Sequence, residues 1–473
     1  MKRYLLLLVV VLGLSLLTAA CAQPQVIEKE VVVTQEVVVT KVVEVEKEVV
    51  VTKEVEVEVE VEKEVVKEVE VVVTATPEPR GDVKLAFWSF LDQEYPNMYP
   101  FYEEKMAGFQ ELHPEVDIDF VPIPYEGSDA KYLAAFAGRE NAPDFWVGKV
   151  PYFAGGLKVA DPAPEDVQEA WDEMVVDNIK PFFQWEGQYY GYPVESDLGM
   201  MLYYNTDMFE EVGLDPAAPP KTMDELLEYA QKLTDAGYVG FGVRYSGNPR
   251  GIADKWLPFL HATCGQLYSD DATTSDGYLN SPEAIESLQF YGDLVNESGV
   301  SSVTIGKPMD AFSRGQVAMF FREAWTVGVL RDSAPDIHYA VAPILENGCN
   351  PGLSLLFQTA MMVNKFSENK DLAWEWIRYI TLNPEFDMEL ANINGTLPVH
   401  KANFETDYFT ARPDYEAELE IINNPPSSYY EAPFINEISF RVGQAVEEVL
   451  FGQKTAEQAL NDAVPDVDDI LNK

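Results

Sequence analysis

The sequence predicts an α/β protein made of two doubly wound lobes that follow a low-complexity stalk. From Val83 onward, apolar runs of strand length alternate with helical segments, which is typical of α/β folds. The chain has 473 residues, 47% of them apolar, so it can bury two sizeable cores. Residues 26–74 consist almost entirely of Val, Glu, Lys and Thr, and this composition excludes them from either lobe.

The first residues predict export and attachment to a membrane. Two basic residues precede an apolar run from Leu5 to Leu17, which is short for a bilayer span and typical of a signal peptide. The sequence LLTAAC resembles the lipobox of bacterial lipoproteins, although Thr18 stands where that motif usually has Leu. We expect a signal peptide over 1–20 and an extracytoplasmic chain anchored to the cell membrane by lipidated Cys21. The alternative is ordinary cleavage that leaves a free thiol.

The segment 21–82 is predicted to be a stalk and linker. An approximate six-residue repeat appears as EVVVTQ at 30–35 and EVVVTK at 36–41, and strict Glu/Val alternation covers 54–62. The β-branched content favours an extended or self-associating stalk, while the Glu and Lys content leaves a helix or coiled coil open. At about 3.3 Å per residue an extended stalk reaches on the order of 150 Å. The Pro-containing sequence up to Asp82 then marks the domain boundary.

Local signals assign several elements of the folded part. Strands are predicted at VKLAFW from Val83 and at VDIDFVPI from Val116. Thr222 and Glu225 have the spacing of a capping box, and Ser281 followed by Pro282 marks another helix start. The helices predicted after the first strand cover 98–112, 222–235, 282–297, 371–382, 440–451 and 455–462.

Charge and motifs exclude several classes of function. The net charge of −47 repels phosphate backbones, so no nucleic-acid partner is expected. The sequence contains no phosphate-binding loop of the P-loop type, no H-E-x-x-H and no G-x-S-x-G motif. The four histidines are scattered without ligand spacing, and the acidic stretch 270–277 has the wrong spacing for a calcium loop. We expect no metal, no cofactor and no enzymatic activity.

Residues 187–234, GQYYGYPVESDLGMMLYYNTDMFEEVGLDPAAPPKTMDELLEYAQKLT, resemble the hallmark region of family 1 extracellular solute-binding proteins of bacterial ABC importers. FSRGQVAMFFREAWTVGVL at 312–330 is similar to the family segment that leads to a Trp in the ligand cleft, but Glu323 stands where the family commonly has Gly. AWEWIRYIT at 373–381, NGTLPVHKA at 394–402 and the final stretch 442–471 match further landmarks in the same order. The resemblance covers nearly all of 83–473.

The resemblance implies a periplasmic-binding-protein-like fold whose two hinge-linked lobes enclose a ligand. It places lobe one at 83–196 plus 345–393, and lobe two at 197–344 plus 394–473. It further implies that the chain delivers a sugar or oligosaccharide to the permease subunits of an ABC importer, whose separate ATPase subunits supply the energy.

Aromatic residues beside hydrogen-bonding ones identify candidate ligand contacts. Trp88 stands at the end of the first predicted strand, and Trp146 follows a helix predicted near 131–138. Both are therefore expected near the carboxyl ends of strands, where ligands of open α/β sheets bind. A pyranose stacks one apolar face on an aromatic ring and offers hydroxyls to carboxylates and amides. The resemblance also implies that Trp88 and Trp325 occupy cleft positions. The complete candidate set is Trp88, Trp325, Glu323, Trp146, Asp197, Tyr245, Arg250 and Trp256.

Three alternatives remain open at the level of the sequence. A secreted glycoside-active enzyme on a stalk would also be acidic and aromatic. A cationic solute would suit an aromatic cage with carboxylates. A surface scaffold would use the Val/Glu repeat for self-association. Cys264 and Cys349 could form a disulfide in an oxidising compartment or remain two buried thiols.

Overall fold

The architecture described here is that of a computed structural model. It describes residues 83–90, 98–124, 127–139, 141–197, 199–346, 348, 357–404, 406–423 and 432–473. The predicted signal peptide, Cys21, the stalk and Cys349 lie outside the described residues. Cys264 is disulfide-bonded. All described residues belong to one compact unit, and in this part of the chain no helix is both long and apolar enough to cross a membrane.

The first half alternates strands and helices. Its elements are β1 Val83–Ser89, α1 Met98–Leu112, β2 Val116–Pro122, α2 Ser128–Gly138, β3 Phe145–Gly148, a π-helical turn Pro151–Gly156, α3 Glu165–Met174, a 3₁₀ segment Asp177–Phe183, β4 Gln184–Trp185, β5 Gln188–Tyr189, β6 Gly191–Asp197, β7 Met200–Asn205, α4 Thr206–Glu211 and α5 Met223–Asp235.

The second half is richer in helices. Its elements are α6 Pro249–Ala262, α7 Pro282–Asn296, α8 Pro308–Ser313, β8 Met319–Glu323, α9 Thr326–Ser333, β9 Tyr339–Ala342, β10 Phe357–Val363, α10 Lys370–Thr381, α11 Pro384–Asn394, a 3₁₀ turn Lys401–Asn403, α12 Asp407–Thr410, α13 Tyr415–Asn423, α14 Ile435–Leu450 and α15 Ala456–Leu471.

Local signals located most helix ends correctly. The helix predicted over 98–112 is confirmed to the residue, and the predicted capping box at Thr222 has both of its hydrogen bonds. The prediction for the last helix was too short, because α15 continues through Pro465 to Leu471. Its buried residues pack against α14, and this tertiary contact holds the helix together beyond the proline.

The first sheet has five strands in the order β2-β1-β3-β10-β6. β1 pairs parallel with β2 and β3, whereas β10 is antiparallel to both β3 and β6. Consequently β6 runs in the same direction as β1, β2 and β3. The core beside this first sheet is aromatic. The Phe87 and Phe145 rings stack at 4.6 Å, and the Tyr102 ring meets Phe87 edge-on at 5.0 Å.

The second sheet has three strands in the order β8-β7-β9, and β7 is antiparallel to both neighbours. A single parallel contact, the isolated bridge between Val239 and Val317, adds to it. The α/β class is therefore confirmed, while the described pairing in this second sheet is mainly antiparallel. Helix α14 packs against α6, α7 and α15 beside it.

The chain passes from the first sheet to the second between β6 and β7. Asp197 pairs with Phe357 in the first sheet, and Met200 pairs with Glu323 in the second. Three residue steps cannot span more than about 11 Å. The carboxyl end of β6 and the carboxyl end of β8 are therefore held close together.

Candidate functional site

The carboxyl ends of β6 and β8 meet near the crossing from β6 to β7. Because β1, β2, β3 and β6 run in one direction, their carboxyl ends share one edge of the first sheet. Trp88 lies at this edge. In the second sheet β8 ends at Glu323, opposite the first residue of β7. Ligands of open α/β sheets bind outside such carboxyl ends, so this edge is the candidate site.

On the side of the first sheet, Trp88 is half-buried and remains reachable. The Lys131 ammonium lies 4.7 Å from the centre of its ring system, within the range of a cation–π contact. The Tyr132 ring is 6.0 Å away, and the Tyr132 hydroxyl donates to the Val147 carbonyl at 3.1 Å. Helix α2 thus supplies both neighbours of this indole.

On the side of the second sheet, Trp325 caps the start of α9 and is 8% exposed. The Arg322 guanidinium carbon lies 4.5 Å from the centre of its ring system. Two residues before Trp325, the buried Glu323 carboxylate forms an ion pair with Lys255 and lies 3.3 Å from an Arg322 nitrogen. The Tyr203 hydroxyl donates to the Glu323 carbonyl at 3.0 Å and so holds the end of β8 against β7.

Both partners of this ion pair have a lowered pKa, for different reasons. Burial alone would raise the pKa of Glu323, but the nearby charges of Arg322 and Lys255 outweigh burial and lower it. Burial lowers the pKa of Lys255; Glu323 opposes that shift, whereas Arg322 and Arg244 reinforce it. The Glu323 carboxylate is therefore ionised across the physiological pH range.

Sequence reasoning missed Lys255 and Arg322 as residues of the site. A signal existed: Lys255 interrupts the apolar run of α6, and a lysine in such a helix is rarely buried without a partner. Its partner Glu323 lies 68 residues away in the chain. Because no local pattern connects the two, the sequence could indicate a buried lysine but not what it pairs with.

Two of the predicted contacts are core residues. Trp146 is 0% exposed and lies between Phe136 and Phe153, with ring separations of 4.7 and 5.0 Å. Trp256 is also 0% exposed, and its indole N–H donates to the Ser287 hydroxyl at 3.1 Å. With no surface left for a ligand, both tryptophans are better explained by packing, and we remove them from the candidate set.

The remaining three candidates lie in different surroundings. The Tyr245 hydroxyl accepts the Gly306 N–H at 2.8 Å, and its ring meets Phe451 at 6.3 Å. Arg250 is buried in the first turn of α6. Asp197 ends β6 at the crossing, and its side chain lies outside the described part of the structure. Asp197 and Arg250 therefore stay predictions, while Tyr245 already has a structural partner.

Among the described residues, no group of three or more His, Cys, Asp or Glu side chains could hold a metal ion. The acidic stretch that begins at Asp270 forms a turn: Asp271 accepts hydrogen bonds from the Ser269 and Thr273 hydroxyls, both at 2.7 Å. These bonds use the carboxylate locally, as in an Asx-type turn.

The comparison with protein families decides how this site is interpreted. Residues 94–385 match the model of the bacterial extracellular solute-binding proteins. The chain belongs to this family. The matched segment includes the second sheet, the crossing and every strand of the first sheet except β1, and the family consists of binding proteins.

Individual relatives are distant in sequence. The maltotriose-binding protein of Pyrococcus abyssi is 25% identical over 332 residues, which cover 67% of each chain. The sn-glycerol-3-phosphate-binding periplasmic protein UgpB of Escherichia coli K12 is 26% identical over 58% of this chain and 65% of its own length. A Thermotoga lettingae ABC transporter solute-binding protein, solved with α-D-tagatose, is 25% identical with a TM-score of 0.69, over 82% of this chain and 99% of that one. The described architecture is thus similar to that of two-lobe solute-binding proteins.

Proposed function

We propose that this solute-binding protein captures a sugar or oligosaccharide and delivers it to the permease of an ABC importer. The observation that carries the proposal is that Trp325 and the ionised Glu323 lie at the carboxyl end of β8, beside the crossing, while Trp88 lies at the carboxyl end of β1. Indole faces suit the apolar face of a pyranose, and a carboxylate accepts hydrogen bonds from its hydroxyls. The relatives named for maltotriose and sn-glycerol-3-phosphate, and the tagatose complex, support a polyhydroxylated cargo.

The two sheets are proposed to be the centres of two lobes that close on the cargo. Lobe one would comprise 83–196 and 345–393, and lobe two 197–344 and 394–473. The connection between β6 and β7 is short, so a rotation of one lobe relative to the other would be concentrated in a few backbone dihedral angles. This supports a hinge at this point. Solution scattering should give a smaller radius of gyration with saturating cargo than without it.

We propose that Cys21 carries a lipid anchor and that 21–82 lifts the lobes away from the membrane. The lipobox-like sequence and the polar repeats after it support this arrangement. Cys21→Ser should move the protein from the membrane fraction to the soluble fraction. Retention of the Ser variant in the membrane, with normal signal processing, would contradict the anchor.

Titration calorimetry with mono- and oligosaccharides, combined with an assay for reaction products, tests the function. We expect heat of binding and no product. Product formation with multiple turnovers would instead support a glycoside-active enzyme. A thermal-shift screen makes a ligand easy to find, since a ligand at 100 times its Kd stabilises the folded protein by about 2.7 kcal/mol.

A further inference from the structure

Both tryptophans of the candidate site have a cation of the protein itself against the ring system. Lys131 lies 4.7 Å from the centre of the Trp88 rings, and the Arg322 guanidinium carbon lies 4.5 Å from the centre of the Trp325 rings. The two pairs come from different sheets and from distant parts of the chain. Although the protein has a net charge of −47, each of these two indoles therefore has a positive charge against it.

Further positive charge surrounds the second indole. Lys255 is 6% exposed and pairs with Glu323, and the electrostatic neighbours of Lys255 include Arg322 and Arg244. The carboxylates among the neighbours that act on Lys255 are Glu323 and Asp254. Burial is the largest cause of the lowered pKa of Lys255, and Arg322 and Arg244 add to it; Arg322 and Lys255 lower the pKa of Glu323 against the effect of its burial.

The first indole adds an accessible cation. Lys131 is exposed on α2, and no carboxylate of the described residues forms an ion pair with it. Trp88 beside it is half-buried. A ligand that stacks against Trp88 would thus meet an ammonium that lies over the ring system.

These positions discriminate among three kinds of cargo. A cationic solute would be repelled from both rings, which argues against the cationic alternative. A neutral saccharide would have to compete with Lys131 and Arg322 for the indole faces. A saccharide with an acidic group can use ring and cation together, because a charge-assisted hydrogen bond contributes about twice as much as a neutral one. Arg322 and Lys255 would keep their contacts with Glu323, so the anion would extend an existing network.

We propose that the cargo is an anionic saccharide, with its sugar ring on Trp88 or Trp325 and its carboxylate or phosphate ester beside the cation of that same tryptophan, Lys131 or Arg322. This inference depends on the proposed function and narrows it to a chemical class. The acidic group could be a uronic acid or a sugar phosphate, which present the same charge to the site.

Calorimetry on the purified chain with matched probes tests this proposal. Each acidic probe is compared with a neutral one of the same size: trigalacturonate with maltotriose, and glucuronate and glucose 6-phosphate with glucose. We expect at least one acidic probe to bind about tenfold more tightly than its neutral partner, which corresponds to one charge-assisted hydrogen bond. The carboxylate and phosphate probes show which acidic group is used. Inorganic phosphate that binds as tightly as glucose 6-phosphate would overturn the role of the sugar ring.

Charge-removing variants supply the second measurement. Lys131→Gln or Arg322→Gln, whichever cation the acidic group contacts, should weaken the acidic probe by about fivefold to tenfold more than it weakens the neutral probe. The matched control is Lys232→Gln on α5, since Lys232 also lies over an aromatic ring, 5.8 Å from the centre of Tyr229, but away from the site. Lys131 is exposed, so its variant should fold even if loss of Arg322 disturbs the buried pair.

The outcomes separate this inference from the proposed function. If neutral saccharides bind as tightly as their acidic partners, or if Lys131→Gln and Arg322→Gln do not change the ratio, the anionic class is wrong and the sugar-binding function stands. If no saccharide binds, neutral or acidic, both proposals are wrong.

Discussion

Charge near the candidate site is arranged differently in the two sheets. Beside the first sheet, Lys131 is exposed, and the core around Phe87 and Trp146 is aromatic and apolar. Beside the second sheet, Lys255 and Glu323 are buried as a pair. An exposed charge contributes little to stability, whereas a buried charge without its partner is costly. The first region can change its charges freely, and the second cannot.

The largest effect is expected at the other buried ionic group of the second region. Arg412 bonds to Asp414 at 2.6 Å and to the Gly395 carbonyl at 2.6 Å, and Asp414 is 0% exposed. Glu418, also buried, lies 3.3 Å away. Arg412→Met leaves two buried carboxylates without this guanidinium and should lower the free energy of unfolding by about 3–5 kcal/mol. Denaturant unfolding measures it, with Lys131→Gln as the exposed control, expected within about 0.5 kcal/mol.

Equal effects of Arg412→Met and Lys131→Gln would contradict the contrast between the two regions.

A pH dependence of opposite sign is expected from one buried group in each region. Burial raises the pKa of Asp387 on α11 to about 6, so its folded-state proton is retained over a range where the unfolded chain, with a pKa of about 4, has lost it. Its contribution is complete below pH 4 and is lost as the pH rises through 6. Burial lowers the pKa of His261 on α6 to about 4, so its contribution is present above about 6.5 and is lost as the pH falls to 4.

Each group should change the free energy of unfolding by on the order of 2 kcal/mol across this window. Denaturant unfolding of Asp387→Asn and His261→Gln between pH 4 and 7 checks it. The difference from wild type should slope in opposite directions for the two variants. Parallel slopes would show that one of the two pKa shifts has the wrong sign.

The two site tryptophans should respond differently to removal. Trp325→Ala is expected to weaken cargo binding at least about tenfold and also to lower the melting temperature, because this side chain is 8% exposed. Trp88→Ala should weaken binding comparably with a smaller loss of stability, because Trp88 is only half-buried. Calorimetry and thermal unfolding of both variants measure the two effects. Unchanged affinity with lost stability would remove Trp325 from the site.

The smallest effect concerns the two core tryptophans. The Trp256 N–H donates to Ser287, whereas the Trp146 N–H is buried without a hydrogen-bond partner among the described residues. Replacing both by Phe removes similar volume, but only Trp256→Phe removes a hydrogen bond. We expect Trp256→Phe to be more destabilising by about 1 kcal/mol, measured as the shift in denaturant midpoint. The reverse order would mean that cavity formation, not bonding, decides the cost. Neither variant should change cargo affinity directly.

Local interactions explain what the sequence by itself determined. The capping box at Thr222, the N-cap at Ser281 and the apolar run from Val83 are set by neighbours within a few residues, so they could be located from the sequence. The family-like segments further along the chain, and their order, indicated the family and the two-lobe fold. Trp325 and Glu323 were named as a pair because they are two residues apart.

Contacts between distant segments decided the rest. Trp88 and Trp146 are register partners on adjacent strands, yet one is half-buried and the other fully enclosed by Phe136 and Phe153. Nothing in either strand distinguishes them. Burial depends on which helix covers a position, and the Lys255 partner depends on how α6 packs against β8. Such contacts join residues far apart in the chain, so only the tertiary structure could separate a ligand-facing tryptophan from a core tryptophan, or place a cation on each indole.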